Sequence, residues 1–193
     1  ADMLESRLEI PEGRQCSEKT LQAAQELGLD FICLTGNPGT GVTNNAIVKA
    51  IELAKKHFSG LIIAGKMHGA GVNEPICDLK TIEEFINVGA DIILVPAVGT
   101  VPAFTEEQLI SIVNCAHEKG ALVLTAIGTS QEGSSSVVIE QFGLKNKVCG
   151  VDIQHIGDAG YSGLAPVENI FALSSSIRGI RHTLTMISRS INR

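Results

Sequence analysis

A chain of 193 residues has the length of one domain, and 44% hydrophobic against 19% charged residues exclude a disordered tail and allow a sizeable core. Aromatic residues are 4%, with no Trp and the single Tyr161, which argues against a base-stacking surface, and a net charge of −6 argues against nonspecific binding to nucleic acid or anionic lipid. No apolar run approaches the ~20 residues of a membrane span, and no signal peptide opens the sequence.

Residues 1–16, opening ADMLESRLEIPEGR, are charged and irregular and read as a loop segment. Beyond them a unit of about thirty residues recurs: a short apolar run, a glycine-rich stretch, an amphipathic helix, then glycine again. The apolar runs start near Phe31 (FICLT), Leu61 (LIIAG), Ile92 (IILVP), Leu122 (LVLTA) and Val148 (VCGVDI), each rich in Ile, Val and Leu as a buried parallel strand should be. After the first run, Ile47, Ile51, Ala54 and Phe58 step at helical spacing. Gly28, Gly89 and Gly120 stand where helices must end, and Thr105 with Gln108 forms a capping box ahead of Leu109, Ile112, Val113 and Ala116. Five such units predict a parallel α/β fold. Their steady period favours a TIM (β/α)8 barrel over an open five-stranded sheet. A barrel's usual ~250 residues make this chain a single partial domain over 1–193, the C-terminal five βα units.

In either architecture the site lies beyond the carboxyl ends of the strands. Residues 36–43 nearly spell a phosphate loop, but Val42 stands where the lysine belongs, which excludes the ATPase reading. The dinucleotide fingerprint fails at Asn44 and has no acidic partner after the next strand, which runs into Lys66. What remains is anion or carboxylate binding at the helix start after Thr43, with Asn37, Gly39 and Thr40 as candidates. A second candidate is GDAGYSG at 157–163, with Gly157, Gly160, Ser162 and Gly163 as phosphate-binding positions and Gly128, Thr129 and Ser130 as neighbours. Its alternative is a purely structural turn.

Lys66 ends the LIIAG strand and is a candidate Schiff-base amine or oxyanion clamp; the plainer reading is a lysine reaching into solvent. His68 is read as a general base, a metal ligand or a hydrogen-bonded rim histidine. His155 and Asp158 form a candidate acid/base pair, and Glu132 and Glu74 add carboxylates to the rim. His57, His117 and His182 fall within helices and read as surface or packing residues. GYSG is not a nucleophile elbow, since Leu164 occupies its last glycine position, and His117-Glu118 lacks the second histidine of HExxH.

At GNPGTGV, AGKMHGAGV and VDIQHIGDAGYSG the sequence resembles a family of bacterial barrel proteins of unknown function, and the match runs from Pro11 to the closing RSINR. Members are often labelled haloacid-dehalogenase-like hydrolases or phosphonomutase-like proteins. The resemblance implies a (β/α)8 barrel with about three further βα units upstream. It brings no established catalytic residues, and the aspartate pair a haloacid-dehalogenase nucleophile needs is missing here.

The function expected is an enzyme acting on a small anionic or phosphorylated metabolite. Its chemistry would be lyase- or isomerase-like, with Lys66 as electrophile or amine and His68 or His155 moving protons. The alternatives are a hydrolase with a divalent metal held by His68, His155 and a carboxylate, and a barrel that binds a metabolite without turnover. No cofactor, nucleic-acid partner or membrane partner is expected. A homo-oligomer is, because a partial barrel leaves open sheet edges. The cysteines, Cys16, Cys33, Cys77, Cys115 and Cys149, are odd in number and never form a CxxC pair, which fits a reducing cytoplasm and no zinc ribbon.

Overall fold

A computed structural model describes residues 9–157 and 163–191. After a short 3-10 turn at Glu12–Arg14 come α1 (Glu18–Glu26), β1 (Phe31–Leu34), α2 (Asn44–His57), β2 (Leu61–Gly65), α3 (Leu79–Asn87) and β3 (Ile92–Pro96). Then follow α4 (Glu106–Glu118), β4 (Leu122–Ile127), a 3-10 turn at Gln131–Gly133, α5 (Ser136–Val148), β5 (Ile153–Ile156), α6 (Val167–Arg178) and α7 (Ile180–Ser188). The five parallel strands lie in the order β1-β2-β3-β4-β5. An open doubly wound sheet reverses its strand order at a switch point, whereas a barrel keeps chain order. The fold class is therefore α/β, made of successive βα units of the TIM-barrel type.

The chain divides into two compact units. The first comprises residues up to Val95 together with Ser111–Leu124. Its register pairs Phe31 with Leu61, Ile63 with Ile92 and Gly65 with Leu94. Local chemistry sets its helix starts: Ser17 and Thr20 cap α1 reciprocally, the Thr43 side chain accepts from the Ala46 N–H, and the Asp78 carboxylate accepts from the Thr81 N–H. Ile47, Ile51, Ala54 and Phe58 are all buried, as their spacing predicts, together with Ile82 and Phe85 from α3. Asp91 Oδ2 accepts the Ile62 N–H at 2.8 Å, fixing the start of β3 against β2.

The second unit comprises Pro96–Ile110 and the chain from Thr125 onward. Ala97, Ile127, Ile139, Phe142 and Leu173 form its core, with Ile156 packed against them. Two buried asparagines tie its loops. Asn146 accepts the Val98 N–H at 3.0 Å and donates to the Phe142 carbonyl, and Asn169 Nδ2 donates to the carbonyls of Glu132 and Ser134, both at 2.8 Å. Satisfied polar groups of this kind fix geometry that an apolar contact leaves loose.

The fifth strand corrects the sequence reading. It begins at Ile153, not Val148, because α5 runs through Val148 with Cys149 as its C-cap. Gly150, at φ 90, then turns the chain as glycine does beyond a helix end. An apolar run across a helix end and a strand start carries no periodicity to separate them. Beyond β5 the chain forms two helices, α6 and α7, separated at Gly179, whose φ is 80.

All five cysteines are free. Burial, with the Asp78 charge adding, pushes the Cys77 thiol up to about 12, and burial pushes Cys33 up to about 11 although that residue as a whole is exposed. Cys16, Cys115 and Cys149 are also raised, chiefly by burial. Since the thiolate is the nucleophile, no cysteine should react quickly with a disulfide reagent at pH 7.5 in the native protein, while all react in denaturant. One fast native equivalent would overturn this assignment.

Candidate active site

Strand β2 ends on Gly65, and the next residue is the candidate lysine. A Cβ on Gly65 would lie 1.9 Å from the Leu94 carbonyl oxygen, so glycine alone permits the approach of β2 to β3 here. Lys66 is 0% exposed. The solvent-reaching alternative is thereby excluded. Its ammonium donates to Glu74 Oε2 at 3.1 Å, and the same oxygen accepts the backbone N–H of Asn44 at 2.8 Å. Asn44 is the first residue of α2, so Glu74 occupies the helix N-terminus with a carboxylate supplied by the chain itself. Glu74 is held below the usual carboxylate range, first by the Asn44 N–H and then by Lys66, with burial opposing. Asn44 Nδ2 donates to the Pro75 carbonyl at 3.1 Å, and its Oδ1 is buried with no hydrogen-bond partner among the described residues.

The loop that carries this pair packs on the loop that precedes α2. The Gly41 N–H donates to the Ala70 carbonyl at 2.9 Å, and a Cβ on Gly36 would meet Val42 Cβ at 2.9 Å and Ala70 Cβ at 3.0 Å. The residues resembling a phosphate loop thus form a packing surface for the Lys66 loop. Within it, Asn37 is exposed, Gly39 has φ 72, and Thr40 turns both its N–H and its hydroxyl onto the Asn37 carbonyl. The Thr40 polar hydrogens are therefore committed to the turn, not offered to an anion. His68 Nδ1 accepts the Ala70 N–H at 3.2 Å. Burial chiefly, and the nearby Lys66 charge, lower its pKa, while a bond to its own backbone works the other way.

These shifts give a pH prediction. His68 and Glu74 both bind protons more weakly folded than unfolded, so the unfolded chain takes up protons first as pH falls. Stability should decline as pH drops below 6.5 through the folded value of His68, and again below 4.5 through that of Glu74. Burial raises Asp78, but the hydrogen bonds from Thr81 and from the backbone of Asp78 and Lys80 together outweigh it and hold its carboxyl low, so it adds to the acid limb. Urea midpoints measured from pH 8 to 3.5 check this. His68→Asn should flatten the upper limb and Glu74→Gln the lower one.

In the second unit, Gln154 Nε2 donates to the Gly143 carbonyl and Ile156 packs against the helical core. By strand alternation His155 between them projects to the opposite face, where it is exposed. Glu132 is 5% exposed, and a Cβ on Gly157 would lie 3.0 Å from its Oε1. The Gly157 N–H donates to the Ile127 carbonyl at 2.9 Å, so Gly157 does not present its amide to a phosphate. Gly128 is buried and its carbonyl accepts from Gln131 N–H and the Thr129 hydroxyl. Thr129 (φ 60) and Ser130 (φ 67) hold left-handed conformations that non-glycine residues rarely keep. Ala70 (φ 53) and Ala103 (φ 61) do the same, so these four strained residues all follow strand ends. Gly163 is exposed with φ 93; Asp158, Gly160 and Ser162 lie outside the described residues. Among the described residues no three His, Cys, Asp or Glu side chains gather as a metal site.

Successive parallel βα units in chain order define a partial barrel of the TIM type, with Lys66 buried just beyond the carboxyl end of β2. The chain belongs to the family described as Domain of unknown function (DUF7916), which it matches over residues 1–193. No curated protein matches it. Among solved structures it is similar to an oxaloacetate acetylhydrolase, with TM-score 0.63 at 13% identity, covering 84% of this chain and 61% of that one. A protein described as a phosphonomutase from Burkholderia cenocepacia J2315 gives TM-score 0.62 at 12% identity, covering 84% and 72%. A phosphonopyruvate hydrolase in complex with oxalate and Mg++ gives 0.62 at 15%, covering 86% and 62%. The chain thus spans about three fifths of the length of the first and third of these, and at such identities the likeness establishes the fold.

Proposed function

We propose that this partial barrel domain, 1–193, belongs to an enzyme acting on a small anionic metabolite by lyase- or isomerase-like chemistry. The observation that carries the reading is Lys66: an ammonium with no exposed surface, at the end of β2, held by one oxygen of Glu74. A buried charge is costly even when one carboxylate oxygen pairs with it, and a site that keeps one gains when an anionic ligand or a developing oxyanion meets it. Lys66 is the oxyanion clamp. With Nδ1 occupied by the Ala70 N–H, the neutral His68 ring carries its proton on Nε2 and meets a ligand as a donor. The names of the structural neighbours, among them the hydrolase bound to oxalate, support a short dicarboxylate or phosphonate as the substrate class. The Mg++ in that neighbour keeps the metal-assisted hydrolase as a second reading. The exposed Phe31 on β1 supports assembly with further chain or another copy, and the free thiols support a cytoplasmic setting.

The test is incubation of the protein in D2O with a panel of 2-oxo dicarboxylates, with and without Mg²⁺, followed by proton NMR. Exchange or cleavage adjacent to the carbonyl by the wild type, absent in Lys66→Met, is expected. Turnover only with Mg²⁺ and retained in Lys66→Met would favour the hydrolase. Ligand-induced stabilisation without turnover would favour a binding protein.

A further inference from the structure

Beyond Glu168 the sequence contains no Asp or Glu, yet it carries Arg178, Arg181, Arg189 and Arg193 with His182, in a chain whose net charge is −6. Arg178 closes α6, Gly179 breaks the helix, and α7 follows from Ile180. Arg178, Arg181, His182, Thr185, Met186 and Arg189 line one cavity of about 450 Å³. Residues 181, 182, 185 and 189 share one side of a helix by their spacing, so the charges face the same space. Arg178 is anchored from behind. Its Nε donates to Ser174 Oγ at 2.9 Å, and Ser174 Oγ lies 3.0 Å from Thr183 Oγ1, which is buried. That leaves its terminal nitrogens available to a ligand. Among the described residues none of these three arginines pairs with a carboxylate.

We propose that this cavity binds a small anion bearing two or more linked phosphoryl groups, as a site separate from Lys66. Gathered guanidinium groups repel one another, and a ligand of opposite charge that bridges them relieves that repulsion. Each guanidinium presents a planar fork of donors matched to phosphoryl oxygens, and three of them exceed what one phosphate can engage well. The volume is in the range of small-molecule sites, about 300–1,000 Å³. A long polyanion such as RNA would also meet the acidic remainder of the chain, whereas a compact one is contained by the arginines.

The experiment is calorimetric titration of the full chain with inorganic pyrophosphate and tripolyphosphate, against orthophosphate and sulfate, at low and moderate salt. The wild type should bind tripolyphosphate at least tenfold more tightly than orthophosphate. Arg181→Gln/Arg189→Gln, both at exposed positions, should weaken that binding at least tenfold, Arg189→Gln alone should weaken it in the same direction, and the exposed Lys145→Gln should leave it unchanged. Circular dichroism confirms that each variant is folded. Equal affinity for all four anions, or equal affinity in wild type and double variant, overturns the proposal. So does a dimer by light scattering that dissolves in the double variant without any tripolyphosphate effect, which would assign the arginines to a second copy. Binding to anionic lipid vesicles that tripolyphosphate fails to compete would likewise assign the surface to a membrane.

Discussion

Gly65→Ala is expected to cost about 4 kcal/mol or more, enough to leave little folded protein. The added methyl would sit 1.9 Å from the Leu94 oxygen and 2.8 Å from its carbonyl carbon, and both are backbone atoms with no rotamer to change. Gly65 also holds φ 153, inside the region where a side chain is strained. Neither strand has room to retreat, since Ile63, Ala64, Leu94 and Val95 are all buried. Gly120→Ala provides the comparison. That glycine has φ 78 with nothing near its would-be Cβ, so it isolates the backbone cost, about 1 kcal/mol. Urea unfolding of both variants measures the difference. A Gly65 variant no less stable than the Gly120 variant would show that the strands do not approach as described.

The second large effect is an asymmetry within the ion pair. Glu74→Gln should destabilise more than Lys66→Met, although each removes one charge. Glu74 retains 30% exposure and its Asn44 N–H, so it tolerates the loss of lysine, whereas Lys66 is wholly buried and Glu74 is its acceptor among the described residues. Breaking a buried pair by removing one partner costs about 3–5 kcal/mol, and the more buried survivor bears the larger share. We expect about 3 kcal/mol for Glu74→Gln and about 1 kcal/mol for Lys66→Met, whose side chain fills the same space. In the double variant the loss should fall well below the sum. The coupling energy is read from urea midpoints of the four proteins at pH 7.5. Additive losses would mean that the two groups do not interact in solution.

Much of the fold was legible because it repeats. The short runs of Ile, Val and Leu, the helix stripe from Ile47 to Phe58 and the Thr105–Gln108 box each state a local preference that the tertiary structure keeps. The run from Val148 misled because a helix end and a strand start are both apolar there, and Gly150 was the mark of the boundary. Lys66 was legible as a polar residue abruptly ending an apolar strand. Its partner role for Glu74 was not, since Glu74 follows it in an irregular loop with no period to fix which way a side chain turns. In the sequence Asn44 stands only where a dinucleotide fingerprint would need a glycine, while its backbone N–H is what holds Glu74 in place. Val42, at the position of a phosphate-loop lysine, is explained by packing against Gly36.

On the proposed function, the Lys66 ammonium recognises a small dianion at the end of β2. Calorimetric titration of the wild type and Lys66→Met with malonate at pH 7.5 tests it most directly, with unfolding midpoints confirming that both proteins are folded. Saturable binding to the wild type is expected, weakened at least tenfold in Lys66→Met and unchanged in Lys145→Gln, since Lys145 lies exposed on α5. Equal malonate affinity in wild type and Lys66→Met would contradict it, and would leave Lys66 and Glu74 as a purely structural pair.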